Sequence, residues 1–316
     1  MKHIYLIVKN INAGSTLLRA QHIKNALPSH YRILTQTIEL NSIDKLSDVK
    51  NSIIIWIGHL GSKYITLLSN SNTQILDIVD KYLYNKNEII HSLNNNIYDR
   101  LIVNNIFMKN YFESNTKFKG NTSVIYHHWD NRLSTTKTVG YNKLVFGYMG
   151  SIKSLLHTDN FLHYKNLMKK FPIVFFDTEI GKDVTNNVIS NNINFPVTYT
   201  TYNIPNEVHF QCDINIRDPN KDVSKFKTTA KIATASALNH NIITTYDEAI
   251  KDILPVDYPF ILKSSHEDEC HKMFKLVIDD YNSSKILWNR GLTIMKKVKE
   301  RLKIENIILK YIEILN

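Results

Sequence analysis

The sequence predicts an α/β protein made of two successive domains, each a layer of parallel strands covered by helices. Three observations carry that expectation. Short β-branched runs of strand length alternate with helix-length segments, the pattern of strand-helix-strand units. The chain of 316 residues is longer than one ordinary core. A polar, turn-rich run, DNRLSTTKTVGYNK (130–143), interrupts the alternation, which then restarts.

In the first half, strands are expected in HIYLIV (3–8), YRILTQTI (31–38), SIIIWIG (52–58), DRLIVN (99–104) and TSVIYH (122–127). Their Ile, Val and Tyr content suits a buried pleated surface. After the first of them, LLRAQHIKNAL (17–27) places Leu17, Leu18, Ala20, Ile23, Ala26 and Leu27 on one helical face. The run ITLLSNSNTQILDIVDKYLYN (65–85) holds a further helix or a strand and turn. In the second half, KLVFGYMGS (143–151) is a strand ending in glycine and FLHYKNLMKKF (161–171) a helix. PIVFF (172–176) and VHFQCDINI (208–216) are strands, TTAKIATASALN (228–239) a helix and NIITT (241–245) a strand. From 286 the chain reads as a basic amphipathic helix with a break near Ile304. The expected domains are 1–140 and 141–285, with 286–316 as a terminal helix. Asn-rich patches such as NNVISNNINF are read as loops.

Composition bounds the function. Hydrophobic residues make up 43% and charged residues 22%, the balance of a soluble globular protein. A formal charge of +10, from 39 Lys and Arg against 29 acids, suits a phosphate-bearing substrate or an anionic surface. The basic residues are spread without a block, so no nucleic-acid role is expected. Two cysteines, Cys212 and Cys270, stand in unrelated contexts with no CxxC, so neither a disulfide framework nor a zinc site is expected and a cytoplasmic location fits. The opening MKHIYLIVKN has strand length and no cleavage site, and no stretch nears the roughly 20 apolar residues of a membrane span.

Four stretches carry chemistry. In KTTAK (227–231), Lys227 and Lys231 sit four apart at the start of a helix of small residues. A helix N-terminus presents unpaired N–H groups, and two lysines on one face would add charge for an anion such as phosphate. The same spacing also describes two solvated lysines. In GYMGSIK (147–153), glycines let backbone approach a phosphate at Gly150 while Ser151 and Lys153 bind it, or the run is a plain tight turn. VIYHHWDNRL (124–133) ends a strand in His127 and His128, followed by Asp130. NAGSTLLR (12–19) is a glycine turn between strand and helix, with Gly14 and Ser15 in the turn and Arg19 reading equally well as a surface residue. Fingerprints for dinucleotides, P-loop nucleotides and the serine nucleophile elbow are absent, as is H-E-x-x-H. HEDECH (266–271) reads as a charged helix start rather than a metal ligand set.

The run from Lys227 to Glu248 resembles the donor domain of group 1 glycosyltransferases of the GT-B fold, common in capsule and surface-glycan assembly. The family pattern of K-x-x-x-K, small-residue helix, apolar strand, short loop and acid matches Lys227, Lys231, Ile242 to Thr244 and Glu248, with Asn239 and Asn241 where the family usually has Gly and Pro. HHWD resembles the segment closing the first domain in some such transferases, GYMGSIK the first turn of the second domain without its arginine, and NAGSTLLR the loop of the first domain. The resemblance implies two Rossmann-like domains facing a central cleft, with the C-terminal helix crossing back to the first domain. It implies a transferase moving a sugar from a nucleotide-sugar donor to a glycan or other hydroxyl acceptor, with no metal or other cofactor.

On that reading Gly14, Ser15, Gly150, Ser151, Lys153, Lys227 and Lys231 surround the donor, Glu248 with Tyr246 beside it meets the ribose, and Thr178 or Glu179 meets the base. His127 and Asp130 would face the cleft. His128, His59 and Asp80 are the candidates for a general base. The paired-glutamate motif of many retaining members is missing, because Lys231 and Thr234 fall where its second glutamate would be, so stereochemistry stays open. The basic terminal helix would also allow peripheral contact with a membrane. The competing readings are an epimerase or phosphorylase-like enzyme on the same fold and a non-catalytic basic binding protein for nucleic acid or a partner.

Overall fold

The computed structural model describes residues 2–11, 17–58, 62–79, 86–140, 142–150, 166–167, 169–178, 197–200, 206–227 and 230–316. The chain divides into two compact units. The first comprises Met1–His128, Phe226–Thr229 and Leu302–Asn316, and the second Trp129–Lys225 and Ala230–Arg301.

In the first unit the β-branched runs become β1 (Ile4–Val8), β2 (Thr35–Glu39), β3 (Ile53–Ile57), β4 (Thr73–Asp77), β5 (Arg100–Val103) and β6 (Asn121–Val124). They form one sheet in the order β2-β1-β3-β4-β5-β6, with every neighbouring pair parallel. All residues of β1 and β3 are buried, as strands covered on both faces require. Helix α1 starts as a π-turn over Leu17–His22 and continues as α-helix over Ile23–Ala26. Helices α2 (Lys86–Asn94) and α3 (Ile106–Asn115) follow. Asn105 caps α3 by accepting from the Met108 amide at 2.7 Å.

The second unit contains β7 (Lys137–Thr138), β8 (Phe146–Met149), β9 (Ile173–Thr178), β10 (Val197–Thr200), β11 (Glu207–Val208), β12 (Cys212–Asn215), β13 (Asn241–Thr245) and β14 (Ile261–Leu262). Its main sheet runs β10-β9-β8-β12-β13-β14, all parallel, and β7 pairs with β11 as a small ribbon. The order reverses between β8 and β12. That is the switch point of a doubly wound sheet, where ligands bind beyond the strands' carboxyl ends.

Helix α4 (Ala230–Ala237) buries Ile232, Ala233, Ala235, Ser236 and Ala237, and its small side chains allow close approach to the sheet. It ends as its asparagine predicts. Asn239 adopts φ +58° and the His240 amide bonds back to the Ala235 carbonyl at 2.9 Å. Helices α5 (Glu267–Asn282) and α6 (Ile286–Arg301) complete this unit.

The terminal helix breaks at Leu302 and Lys303, and α7 (Ile304–Leu315) belongs to the first unit, where it buries Ile304, Ile307, Ile308, Tyr311 and Ile314. Tyr311 joins it to the sheet. Its hydroxyl donates to Asp77 Oδ2 at 3.0 Å at the end of β4 and accepts from Arg19 Nη1 at 3.2 Å. Arg19 also donates to the Ile125 carbonyl at 2.7 Å.

The structure departs from the sequence expectation in four places. Residues 29–32 form a helical turn behind Pro28, so β2 starts only at Thr35. The run 208–216 splits into β11 and β12, because Gln211 turns to accept the Val145 amide at 2.9 Å. Strands β7, β10 and β14 were not expected, while β4 falls in the run 65–85, which the sequence leaves open between a helix and a strand and turn. Of the expected helix 161–171, residues 166–167 are helical and 169–171 are turn and bend, while 161–165 and 168 lie outside the described residues.

Candidate functional site

The second unit gathers its chemistry at the carboxyl end of β8. Gly147 lies in that strand because a Cβ there would run into the Phe210 ring. Gly150 follows the strand with φ +144°, a conformation L side chains rarely adopt. The second residue of α4, Lys231, brings its ammonium to this turn. Nζ donates to the Met149 carbonyl at 2.5 Å and stands 3.9 Å from the centroid of the Tyr148 ring. A Cβ on Gly150 would collide with the same Nζ. Two features separated by 81 residues in sequence therefore meet at the switch point of the sheet.

Lys227 precedes the helix. It lies in the segment Phe226–Thr229 that clusters with the first unit, where the Phe226 ring packs edge-on against Phe107 and Tyr111 at 5.2 and 5.0 Å. The Lys227 carbonyl accepts from Asn105 Nδ2 at 3.4 Å.

Beyond β13, Tyr246 is half-buried, and Glu248 accepts from Lys251 Nζ at 2.5 Å in a partly exposed pair. Such pairs exchange readily, since they contribute little in water. The acid next to it is the buried one. Asp247 accepts the Ala249 amide through Oδ1 at 3.0 Å, and its Oδ2 lies 4.0 Å from Arg217 Nη1. Burial raises the Asp247 carboxyl above the ordinary range and Arg217 opposes that. Arg217 is oriented by Asn215, whose Oδ1 accepts its Nε at 3.1 Å. Sequence reasoning missed Arg217, Asp247 and Tyr148. The first two were signalled only by polar residues just past β12 and β13, and Tyr148 read as an ordinary strand residue.

In the first unit, His127 and His128 follow β6 and are both buried. Burial, and then the fields of Arg19 and His128, hold the His127 imidazole well below its ordinary pKa, so it stays neutral. His128 Nε2 lies 3.4 Å from His22 Nδ1 of α1. Arg19 is not a surface residue but only 1% exposed, 3.9 Å from Asp77. Burial raises the Asp77 carboxyl, while Arg19 and the Tyr311 hydroxyl pull it back. Asp130 falls in the second unit. It caps the turn Asn131–Thr135 and grips Arg132 through Nε at 3.0 Å and Nη2 at 2.6 Å.

Gly14, Ser15, His59, Asp80, Ser151, Lys153 and Glu179 lie outside the described residues, and Thr178 is described only as the last residue of β9. Among the described residues no group of three or more His, Cys, Asp or Glu is placed to hold a metal. No helix among them is long and apolar enough to cross a membrane.

No family model matches the chain, and no curated protein matches it in sequence. Solved structures do. Sucrose-phosphate synthase (tll1590) from Thermosynechococcus elongatus superposes with a TM-score of 0.69 at 11% identity, covering 99% of this chain and 98% of that one. Anabaena Alr3699/HepE in complex with UDP gives 0.66 at 12% identity over 100% and 99% of the two chains. The chain has the GT-B glycosyltransferase fold. The lipopolysaccharide outer core galactosyltransferase WaaB gives 0.62 at 9% identity over 99% and 98%. At these identities the likeness is one of fold. In GT-B terms the first unit is the N-terminal Rossmann-like domain with α7 added to it, and the second is the C-terminal one with the switch point at β8 and β12.

Proposed function

We propose that the protein is a glycosyltransferase that moves a sugar from a nucleotide-sugar donor to a hydroxyl of a glycan or glycoconjugate, without a metal. The observation that carries this reading is the Lys231 ammonium fixed at the Gly150 turn, where β8 ends and the sheet order reverses. A departing nucleoside diphosphate develops negative charge, and a cation already in place beside a helix N-terminus stabilises it without reorganisation. Lys231 and the backbone at Gly150 serve the diphosphate, and Lys227, Ser151 and Lys153 are the further candidates that the sequence offers for it. Glu248, freed from Lys251, accepts the ribose hydroxyls beside Tyr246, and Thr178 or Glu179 meets the base. That Alr3699/HepE was solved with UDP supports a nucleotide donor for this fold.

For the acceptor hydroxyl, the candidate bases are His128, His59 and Asp80. Of these His128 is the described one, and its partner His22 gives the proton a second imidazole. His127 stays neutral beside it and serves as a hydrogen-bonding neighbour. The protein is expected in the cytoplasm, with the basic C-terminal helices available for peripheral contact with an anionic membrane.

The test is a thermal-shift screen with UDP, GDP, CDP, ADP and TDP sugars. One nucleotide should raise the melting temperature saturably. Lys231→Ala should weaken that nucleotide about 10- to 100-fold, the worth of one charge-assisted hydrogen bond. If no nucleotide stabilises the protein, the transferase reading is withdrawn.

A further inference from the structure

The Lys231 side chain is long and flexible, yet its ammonium occupies one place. Its surroundings at the Gly150 turn hold it there. The Met149 carbonyl accepts its proton at 2.5 Å, the open side of Gly150 leaves room where a Cβ would not, and the Tyr148 ring lies beneath it at 3.9 Å. Tyr148 is itself held. It is 3% exposed, the penultimate residue of β8, and its ring packs against Phe175 of the neighbouring β9 with centroids 5.6 Å apart.

These partners differ in kind. A carbonyl oxygen competes for the same ammonium protons that a phosphate oxygen would take, so a bound anion displaces it. The ring face attracts the cation through its quadrupole without neutralising it and without occupying those protons. A carboxylate in the same place would have cancelled the charge.

We infer that Tyr148 is a positioning residue of the anion site, whose ring face holds the Lys231 ammonium at the Gly150 turn and leaves its charge for the diphosphate of the donor. The inference rests on the function proposed above and adds to it a residue that makes no contact with substrate. The ring face is the required feature, so phenylalanine should replace tyrosine and leucine should not.

Wild type, Tyr148→Phe and Tyr148→Leu are titrated calorimetrically with UDP and with uridine. The leucine variant should bind UDP about 2- to 30-fold more weakly, the range of a cation–π contact, and uridine as wild type does. The phenylalanine variant should stay within about twofold of wild type for both, since it keeps the ring face. Unchanged UDP binding by the leucine variant overturns the inference. So does an equal loss for UDP and uridine, which marks a merely structural ring, or a phenylalanine variant as weak as leucine.

A second measurement does not depend on nucleotide. In lysine-labelled protein, the Lys231 ε-methylene resonance should be shifted upfield by the ring in wild type and Tyr148→Phe, and should return to the ordinary lysine position in Tyr148→Leu. An unshifted wild-type resonance overturns the inference whatever the titrations show. If wild type binds no nucleotide, the transferase reading fails, and the resonance alone then decides whether Tyr148 positions Lys231.

Discussion

Replacing Tyr311 with phenylalanine tests whether the terminal helix is held in the first unit by a buried charge network. The ring packing survives the change, but the hydroxyl between Arg19 Nη1 at 3.2 Å and Asp77 Oδ2 at 3.0 Å is lost. Asp77 is fully buried and Oδ1 has no hydrogen-bond partner, so the variant leaves its carboxylate with Arg19 at 3.9 Å. A hydrogen bond to a charged group contributes about 1.5–3 kcal/mol, and two rather long ones at the low end sum to about 3 kcal/mol. Amide hydrogen exchange reads this directly. Peptides covering β4 and α7 should exchange about 100-fold faster, and peptides covering β12 and β13 should not change.

The pH dependence has a definite sign. Burial raises the Asp77 carboxyl and the Tyr311 hydroxyl lowers it, so removing the hydroxyl raises it further. A bond made to the ionised carboxylate is present above its folded-state pKa and fades as pH falls through it. The gap between wild type and variant should therefore be widest near neutrality and narrow in acid. A change in protection below about threefold at neutral pH, or a gap that widens in acid, would refute the reasoning.

Two further outcomes are expected. Gly147→Ala drives a Cβ into the buried Phe210 ring and should cost about 1–3 kcal/mol in urea unfolding; a variant as stable as wild type would show that the ring can move. His127 is held neutral, well below its ordinary pKa, while an unfolded histidine takes up a proton near pH 6.5. Its contribution is thus present above that value and lost as pH falls, at up to about 1.4 kcal/mol per pH unit. His127→Asn should flatten the decline of stability between about pH 6.5 and 5, and an unchanged slope would place the titration elsewhere.

What the sequence disclosed follows from which interactions are local. The strands IYLIV, IIIWI and NIITT are continuous apolar or β-branched runs and were legible at once. Strand β4, TQILD, stayed open between helix and strand, because its polar residues are satisfied only by the folded sheet. Gln74 accepts the Trp56 indole N–H at 2.8 Å, and Asp77 meets an arginine and a tyrosine from far along the chain. At the proposed anion site the glycine turn and the lysine each announced themselves through local chemistry, and the fold explains their meeting. Tyr148 carried no such signal, since a tyrosine in a strand reads as core.

The two buried-edge cations differ in what they can do, and their partners explain the difference. Arg19 is 1% exposed and is met by a carboxylate, a hydroxyl and a carbonyl from three different elements. Displacing them would leave Asp77 charged and buried, which costs several kcal/mol. Arg19 is thereby committed to the first unit's stability, although it stands near the carboxyl ends of β4 and β6. Lys231 occupies the corresponding edge of the second sheet, where a carbonyl oxygen and an aromatic face contact its ammonium and the buried Asp213 carboxyl feels its field. On the proposed reading, an incoming phosphate oxygen would replace the carbonyl and leave the ring in place. Position at a strand's carboxyl end is common to both residues; a carboxylate in direct contact ties Arg19 into the fold, whereas the carbonyl and ring contacts of Lys231 suit it to the anion role proposed above.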